Sequence, residues 1–171
     1  MDKTPPLVVL HDLEEEQEQQ ALDGLPARIF AARQKAAVCK GCFGCWLQTP
    51  GVCILRDGVQ GLAPALAQVQ DLVIISRCLY GGFSQPVKQL LDRSIGYILP
   101  FFTTRNQEMH HKPRYANRLR FRAVFYNRQA LTAQEQEVAR RVVRAVGVNL
   151  NTLPPEVLFL DDPKSLREVL L

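Results

Sequence analysis

Short apolar runs alternate with amphipathic segments along the chain. Leu7–Leu10 and Leu72–Ser76 are unbroken and rich in β-branched residues, which is typical of strands buried on both faces of a parallel sheet. Apolar positions that alternate over Arg120–Tyr126 predict another strand. Weaker signals predict strands over Arg28–Ala32 and Pro155–Leu160.

Helical patterns lie between these strands. The predicted helices span Leu13–Leu22 behind an Asp12 cap, Pro64–Val69, Pro86–Ile95, a segment that ends at Val146, and a short tail to Leu171. Thr132 and Glu135 form the capping box of the fourth helix, and Gly147 is placed as its C-terminal stop. Because strands and helices alternate, we expect one α/β domain over residues 1–171, a doubly wound parallel sheet in a three-layer sandwich. The stretch Tyr97–Phe102 is predicted as an aromatic connection that leads into a basic polar loop.

Composition narrows the class of protein. The chain has 171 residues, and 47% of them are hydrophobic, which is enough for a full core. Its apolar runs are too short to span a bilayer, and its first residues lack the pattern of a signal peptide. We therefore expect a cytoplasmic protein. The count of five cysteines is odd, which favours reduced thiols or metal ligands over a disulfide framework.

The net charge of +4 is unevenly distributed. Residues 1–24 hold seven acids and one base, whereas residues 105–144 hold ten bases and three acids. The bases form no dense cluster, so nucleic-acid binding is the less favoured interpretation. An anionic small ligand or an acidic partner surface fits the asymmetry as well.

Four cysteines lie close together, with the spacing Cys-x2-Cys-x2-Cys-x7-Cys. Several soft sulfurs from one short loop suit a thiolate-bound centre such as a 4Fe–4S cluster. Zinc sites more often use two separated Cys-x2-Cys pairs. A packed loop with no metal is the third possibility, and the sequence leaves all three open. Cys78 lies outside the loop, and core packing is the more frequent place for such a residue. The ligand candidates are Cys39, Cys42, Cys45 and Cys53.

Two segments resemble a known family. The run Cys39–Cys53, which also carries Gly41, Trp46 and Thr49-Pro50-Gly51, resembles the flavodoxin-like NAD(P)H-dependent FMN reductases, and in particular their iron–sulfur flavoproteins. The segment Arg77–Phe102 is similar to the same family's flavin-ring loop, following helix and dimer-forming stretch. The resemblance covers roughly residues 37–160.

The resemblance implies a flavodoxin-like redox protein, either an FMN-dependent NAD(P)H oxidoreductase or an electron-transfer flavoprotein. A nicotinamide or a protein would supply its electrons, and the four cysteines would ligate a 4Fe–4S cluster. The patch formed by Tyr97 and Pro100–Phe102 would form a homodimer. The residues implied to bind the flavin ring are Ser76, Arg77, Cys78, Leu79, Tyr80, Gly81, Gly82, Phe83 and Ser84.

One part of the family pattern is missing. The loop after the first strand usually offers Gly, Ser, Arg and Thr donors to the FMN phosphate, but here His11-Asp12 leads into an acidic run to Glu18. Each carboxylate at contact distance would repel a phosphate by about 1 kcal/mol or more. After the fourth cysteine, only the family's Asp57 position is retained. The alternative hypothesis is therefore a non-catalytic member without tight FMN binding, which would act as an iron–sulfur carrier or a partner-binding subunit.

Overall fold

The computed structural model describes residues 6–33, 36–127 and 129–170. Eight strands are assigned: β1 Leu7–His11, β2 Ala27–Ala31, β3 Asp71–Leu79, β4 Gly82–Phe83, β5 Ile98–Arg105, β6 Glu108–Pro113, β7 Arg120–Tyr126 and β8 Glu156–Leu160. The α-helices are α1 Glu15–Leu22, α2 Gly44–Leu47, α3 Leu62–Ala67, α4 Gln85–Arg93, α5 Ala133–Asn149 and α6 Leu166–Leu170. Within the described ranges, no helix is both long enough and apolar enough to cross a membrane.

The main sheet has the strand order β2-β1-β3-β7-β8, and every neighbouring pair on this path is parallel. This is the flavodoxin-like order, in which chain direction across the sheet reverses between the first strand and its neighbour β3. The predicted doubly wound α/β fold is confirmed. The extent of the domain, residues 1–171, stays a prediction.

Two apolar layers cover the two faces of the sheet, because successive side chains of a strand point to opposite sides. On one face α3, α4 and α5 pack against Val8, Leu10, Leu72 and Ile74. On the other face α1 and α6 pack against Val9, Val73, Ile75 and Val124. The predicted three-layer sandwich is therefore confirmed.

The segment after α4 differs from the predicted loop. Ile98–Arg105 pairs in antiparallel register with Glu108–Pro113 as a separate two-stranded sheet. Asn106 and Gln107 form its turn, with φ of 51° and 65°, the left-handed values that the tightest hairpin turns require. Of the two strands only Ile98 is buried, so no alternation of apolar and polar residues marked them in the sequence.

Two helix boundaries correct the sequence prediction. Asp12 does not cap α1: the helix begins at Glu15, and Glu14 forms a capping box with Gln17. Gly147 does not end α5, which continues to Asn149. A Cβ at Gly147 would lie 2.8 Å from Thr152 Oγ1, so close packing explains this glycine. The predicted capping box of Thr132 and Glu135 is confirmed.

Candidate functional site

The four clustered cysteines line one small cavity. Its volume is about 30 Å³, so the cavity is small. Cys45 is buried at its inner side, Cys42 is exposed, and Cys39 and Cys53 are half-buried. All are free thiols. The loop therefore places four soft donors along the wall of one cavity close to the surface.

The neighbouring thiols affect the pKa of Cys45. Burial raises the pKa of the Cys45 thiol, and the nearby Cys53, Cys39 and Cys42 raise it further. Among the described residues, however, no group of three or more Cys, His, Asp or Glu side chains is placed to hold a metal ion. The arrangement thus brings the four predicted ligands together without forming a finished single-ion site, and their role as ligands stays a prediction.

Trp46 anchors the cysteine loop to the segment after α4. Its indole N–H donates to the carbonyls of Ile98 at 2.9 Å and Ile95 at 3.2 Å, and its ring stacks on Phe43 with centroids 5.1 Å apart. A Cβ at Gly96 would lie 3.3 Å from Cys45 Cβ, so this glycine permits the close approach. Trp46 is therefore a packing anchor of the loop.

Arg93 forms one wall of the cysteine cavity. Its side chain is 0% exposed and makes a two-pronged ion pair with Asp57, with Nη1 to Oδ2 at 2.7 Å and Nη2 to Oδ1 at 2.9 Å. It also donates to the carbonyls of Ala37 at 2.7 Å and Leu55 at 3.3 Å. Its buried Nε–H has no hydrogen-bond partner in the described part of the chain. A buried guanidinium thus faces the thiols with one donor unused.

The ion pair between Arg93 and Asp57 favours the charged form of both side chains. Burial alone would lower the pKa of Arg93, but interactions with Asp57 and Cys53 outweigh it, and the pKa is raised. Hydrogen bonding to Arg93 is the largest cause that lowers the pKa of Asp57 to about 2, helped by the backbone N–H groups of Ala37 and Val59. The ion pair therefore persists at neutral pH.

The predicted flavin-ring segment, Ser76–Ser84, forms a closed hairpin. The end of β3 turns through Tyr80 and Gly81, with φ of 52° and 80°, and pairs with β4. A Cβ at Gly81 would lie 2.6 Å from Val138 Cβ of α5. Gly81 is therefore required by the turn and by the contact with α5. The side chain of Tyr80 is 92% exposed and so covers no pocket.

The remaining side chains of this segment serve mainly internal contacts. The Ser76 hydroxyl accepts from Ser84 N at 2.9 Å and donates to the Arg77 carbonyl at 2.8 Å. Phe83 stacks on Phe125 with centroids 5.0 Å apart. Cys78 is buried, which raises the pKa of its thiol and confirms its predicted core packing. Leu79 is partly exposed and Gly82 is half-buried. The flavin contacts of these residues stay a prediction.

Asp12 occupies the switch point between β1 and β3, where this fold class binds its ligands. Both of its carboxylate oxygens lie 3.1 Å from Arg77 N, which donates to them. The hydroxyl of Tyr126 donates to Asp12 Oδ1 at 3.0 Å. Burial and this carboxylate raise the pKa of Tyr126. The Asp12 carboxylate thus already accepts hydrogen bonds from the donors at this edge of the sheet.

The residues around Asp12 do not fit the phosphate of FMN. A cavity of about 320 Å³ opens beside it, and Glu14, Asp161 and Asp162 lie in its wall together with Arg77. The first turn of α1, whose N-terminus would otherwise attract an anion, is itself acidic and capped by Glu14. A phosphate dianion would meet more carboxylates than donors there.

Sequence reasoning missed a group of three paired side chains at the end of β1, of which only the first is fully buried. His11 is fully buried, accepts from Leu13 N at 3.1 Å, and lies 3.5 Å from Glu18 through Nε2. Glu18 also pairs with Arg33. Burial lowers the pKa of His11, although Glu18 opposes this effect. Part of the acidic run that ends at Glu18 therefore pairs internally. The feature of the sequence that could have indicated this contact is His11, a histidine at the end of an apolar strand.

The polar loop predicted after Phe102 is wrong for His110 and His111. Both lie on β6, and the His111 ring packs between Trp46 and Phe102, with centroids 5.0 and 4.7 Å apart. His110 Nδ1 lies 3.0 Å from Asn149 Oδ1. The β5–β6 hairpin therefore packs over the anchor of the cysteine loop.

A larger groove adjoins the cysteine cavity. Its volume is about 630 Å³, within the usual range for small-ligand pockets. It runs between α4 and α5, and Cys39 and Gly41 line both this groove and the cysteine cavity. Side chains such as Leu91 and Val146 make it largely apolar, with Lys88 and Asn149 among its polar residues. A small molecule in this groove would touch the cysteine loop.

Comparison with known proteins identifies the fold. No protein-family model matches the chain, and no curated protein matches it. Among solved structures, it is similar to an FMN-dependent NADH-azoreductase from Bacillus anthracis in complex with FMN. The two chains are 9% identical, the TM-score is 0.55, and the match covers 95% of this chain and 92% of the other. This likeness supports the flavodoxin-like fold.

Proposed function

We propose that this protein is a redox protein on a flavodoxin-like scaffold, whose redox centre binds at the cysteine loop and not through FMN at the switch point. The observation that carries the proposal is the convergence of four thiols and one buried guanidinium on a single cavity. The proposed activity is electron transfer, in which the protein acts as an iron–sulfur carrier or a partner subunit.

The donor chemistry supports a 4Fe–4S cluster. Cys39, Cys42, Cys45 and Cys53 would hold it, and such a cluster supplies one-electron transfer when bound. The cavity of about 30 Å³ must widen to admit it. Widening on the side of the exposed Cys42 leaves the buried Cys45 and the core in place. Zinc is less well supported, because zinc sites more often use two separated Cys-x2-Cys pairs. Among the described residues no group of three or more Cys, His, Asp or Glu side chains is placed for a metal ion, and this applies to both centres.

An FMN-dependent NAD(P)H oxidoreductase is the second candidate. It is favoured by the strand order and by the likeness to an azoreductase that binds FMN. The carboxylate of Asp12 at the switch point opposes it. A nicotinamide would be the electron donor of the FMN-dependent oxidoreductase. For the iron–sulfur carrier, a protein donor or acceptor would approach the exposed Cys42 or the adjoining groove.

The absorption spectrum of protein purified without oxygen tests the cluster. We expect a broad brown absorbance that disappears in a Cys42→Ser and Cys45→Ser double variant. Cys78→Ala is the matched control, since this cysteine is buried outside the loop, and its spectrum should equal that of the wild type. A colourless wild-type protein that also fails to acquire colour with ferrous iron and sulfide would overturn the proposal.

Titration with FMN separates the two candidates. We expect no saturable binding at micromolar FMN, because the switch point repels phosphate. Flavin bands that survive desalting, or micromolar affinity, would replace our proposal with the oxidoreductase.

We further propose that the protein forms a homodimer through β5. Phe101 and Phe102 are 63% and 58% exposed, and Leu47 and Met109 are also exposed apolar side chains. Adjacent exposed apolar residues commonly mark interfaces. Tyr97, part of the sequence-based patch, is buried and donates to Asn117 instead.

A further inference from the structure

We propose that Arg93 is the buried counter-charge of the cysteine cavity and that Asp57 holds it in position, so that the cavity favours a thiolate-bound centre of net negative charge. This inference rests on the proposed function and deepens it, because it assigns a charge to the centre and a role to two residues outside the ligand set.

Arg93 joins the two ends of the cysteine loop. One of its carbonyl partners, Ala37, precedes Cys39, and the other, Leu55, follows Cys53. Asp57 reinforces this clamp by accepting from Ala37 N at 3.0 Å. The entry and exit of the loop are thus tied to one guanidinium on α4. The position of Arg93 relative to the thiols is determined by these contacts.

The contacts of Arg93 within the fold satisfy only part of its hydrogen-bonding capacity. An isolated buried cation is strongly unfavourable, and Asp57 supplies the carboxylate that makes it tolerable. The fork of two Nη donors is fully engaged, yet the buried Nε–H has no partner among the described residues. This guanidinium also interacts with the Cys53 thiol. A sulfur acceptor with negative charge would complete its hydrogen bonding.

A thiolate-bound metal centre supplies such an acceptor. Four thiolates together carry more negative charge than a zinc ion, or than the iron–sulfide core of a 4Fe–4S cluster, carries positive charge, so the bound centre is an anion. Net charge and hydrogen bonds to the sulfurs are the terms that set the potential of a cluster. Arg93 therefore acts as a positioning and charge-compensating residue and not as a ligand.

Two variants distinguish this role from a purely structural clamp. Arg93→Gln removes the positive charge, and Asp57→Asn removes the negative charge that faces it. Both break the same ion pair, so both should lower the melting temperature of the metal-free protein. If the pair were only structural, their effects on the bound centre would also have the same sign. If Arg93 compensates charge, the effects have opposite signs.

The experiment uses full-length protein reconstituted with ferrous iron and sulfide under anaerobic conditions. We expect the reduction potential, from a redox titration followed by electron paramagnetic resonance, to become more negative in Arg93→Gln and more positive in Asp57→Asn. In a parallel titration with Co2+ alone, followed by thiolate-to-metal absorbance, we expect at least tenfold weaker binding for Arg93→Gln. Arg105→Gln is the control, because Arg105 donates to two carbonyls without lining the cavity, and it should leave both readouts unchanged.

Several results would overturn the inference. Potentials that shift in the same direction in both variants, or that do not shift, would leave Arg93 a structural clamp. If Arg93→Gln fails to fold, Arg93→Lys retains the charge, and a potential far below that of the wild type would contradict charge compensation. A wild-type protein that binds neither the cluster nor Co2+ would refute the proposed function itself. That outcome is distinct from a loaded wild type whose variants behave alike.

Discussion

The stability of the protein should depend on pH through Asp57. Its pKa is lowered from 3.8 to about 2 in the folded protein, mainly by the hydrogen bond with Arg93. Its side chain is only 14% exposed, so little water screens the pair. A depression of this size, at about 1.4 kcal/mol for each pKa unit, corresponds to about 2 kcal/mol of folding free energy.

The sign follows from proton binding. Below pH 3.8 the unfolded chain protonates Asp57 while the folded protein keeps it ionised. The contribution is therefore present in full above roughly pH 5 and is lost as the pH falls through 3.8 towards 2. An asparagine at this position has no carboxylate to protonate. It should lower the free energy of unfolding at neutral pH by about 3 kcal/mol, because it breaks a buried ion pair.

Urea unfolding of wild type and Asp57→Asn at several pH values between 2.5 and 7 measures this effect, and the metal-free protein is used throughout. The difference between the two free energies of unfolding isolates Asp57 from the other acids. We expect it to be largest at neutral pH and to shrink by about 2 kcal/mol on acidification. A difference that stays constant across the range would show that the fold does not depend on the charge of Asp57.

Three further changes test other parts of the structure. Gly81→Ala should destabilise the fold by at least about 2 kcal/mol in urea unfolding, because φ is +80° and the new Cβ would lie 2.6 Å from Val138 Cβ; an unchanged midpoint would contradict the hairpin geometry. Thr132→Ala should cost about 1 kcal/mol in the same assay through loss of the α5 cap, and Thr132→Ser should restore it. Phe101→Glu should convert the proposed dimer to a monomer in light scattering without changing the circular dichroism spectrum, and a wild-type monomer would refute the interface.

Most of the fold could be predicted from local patterns. Leu72–Ser76 and Arg120–Tyr126 were marked by β-branched or alternating apolar residues, because the sheet buries both faces of its central strands. The β5–β6 hairpin was missed because its pairing depends on exposed backbone and not on a buried stripe. Gly147 shows a second limit, since its reason is the contact with Thr152, which no local pattern reveals.

The site was only partly predictable for the same reason. The spacing of the cysteines placed four thiols in one loop, and the structure brings all four to one cavity. Arg93 and Asp57 are separated by 36 positions, and nothing in the sequence indicated that they pair beside Cys53. Asp12 was assigned to a helix cap, because its actual donor, Arg77 N, lies 65 positions away. Charges that act through tertiary contacts are the part that sequence reasoning missed.

The charges at the switch point and at the cysteine loop differ in sign, and this difference bears on where the fold can accept an anionic group. At the switch point Asp12 already satisfies the Arg77 N–H and the Tyr126 hydroxyl, and the acids around it raise the cost of adding a phosphate. At the cysteine loop the buried Nε–H of Arg93 has no partner among the residues that the structure describes, so adding negative charge there would supply one. FMN and a thiolate-bound cluster are both anions. The local charges therefore disfavour FMN at the switch point and favour a cluster at the cysteine loop. Under the proposed function, the redox centre would therefore lie at the cysteine loop beside α4 and not at the end of β1.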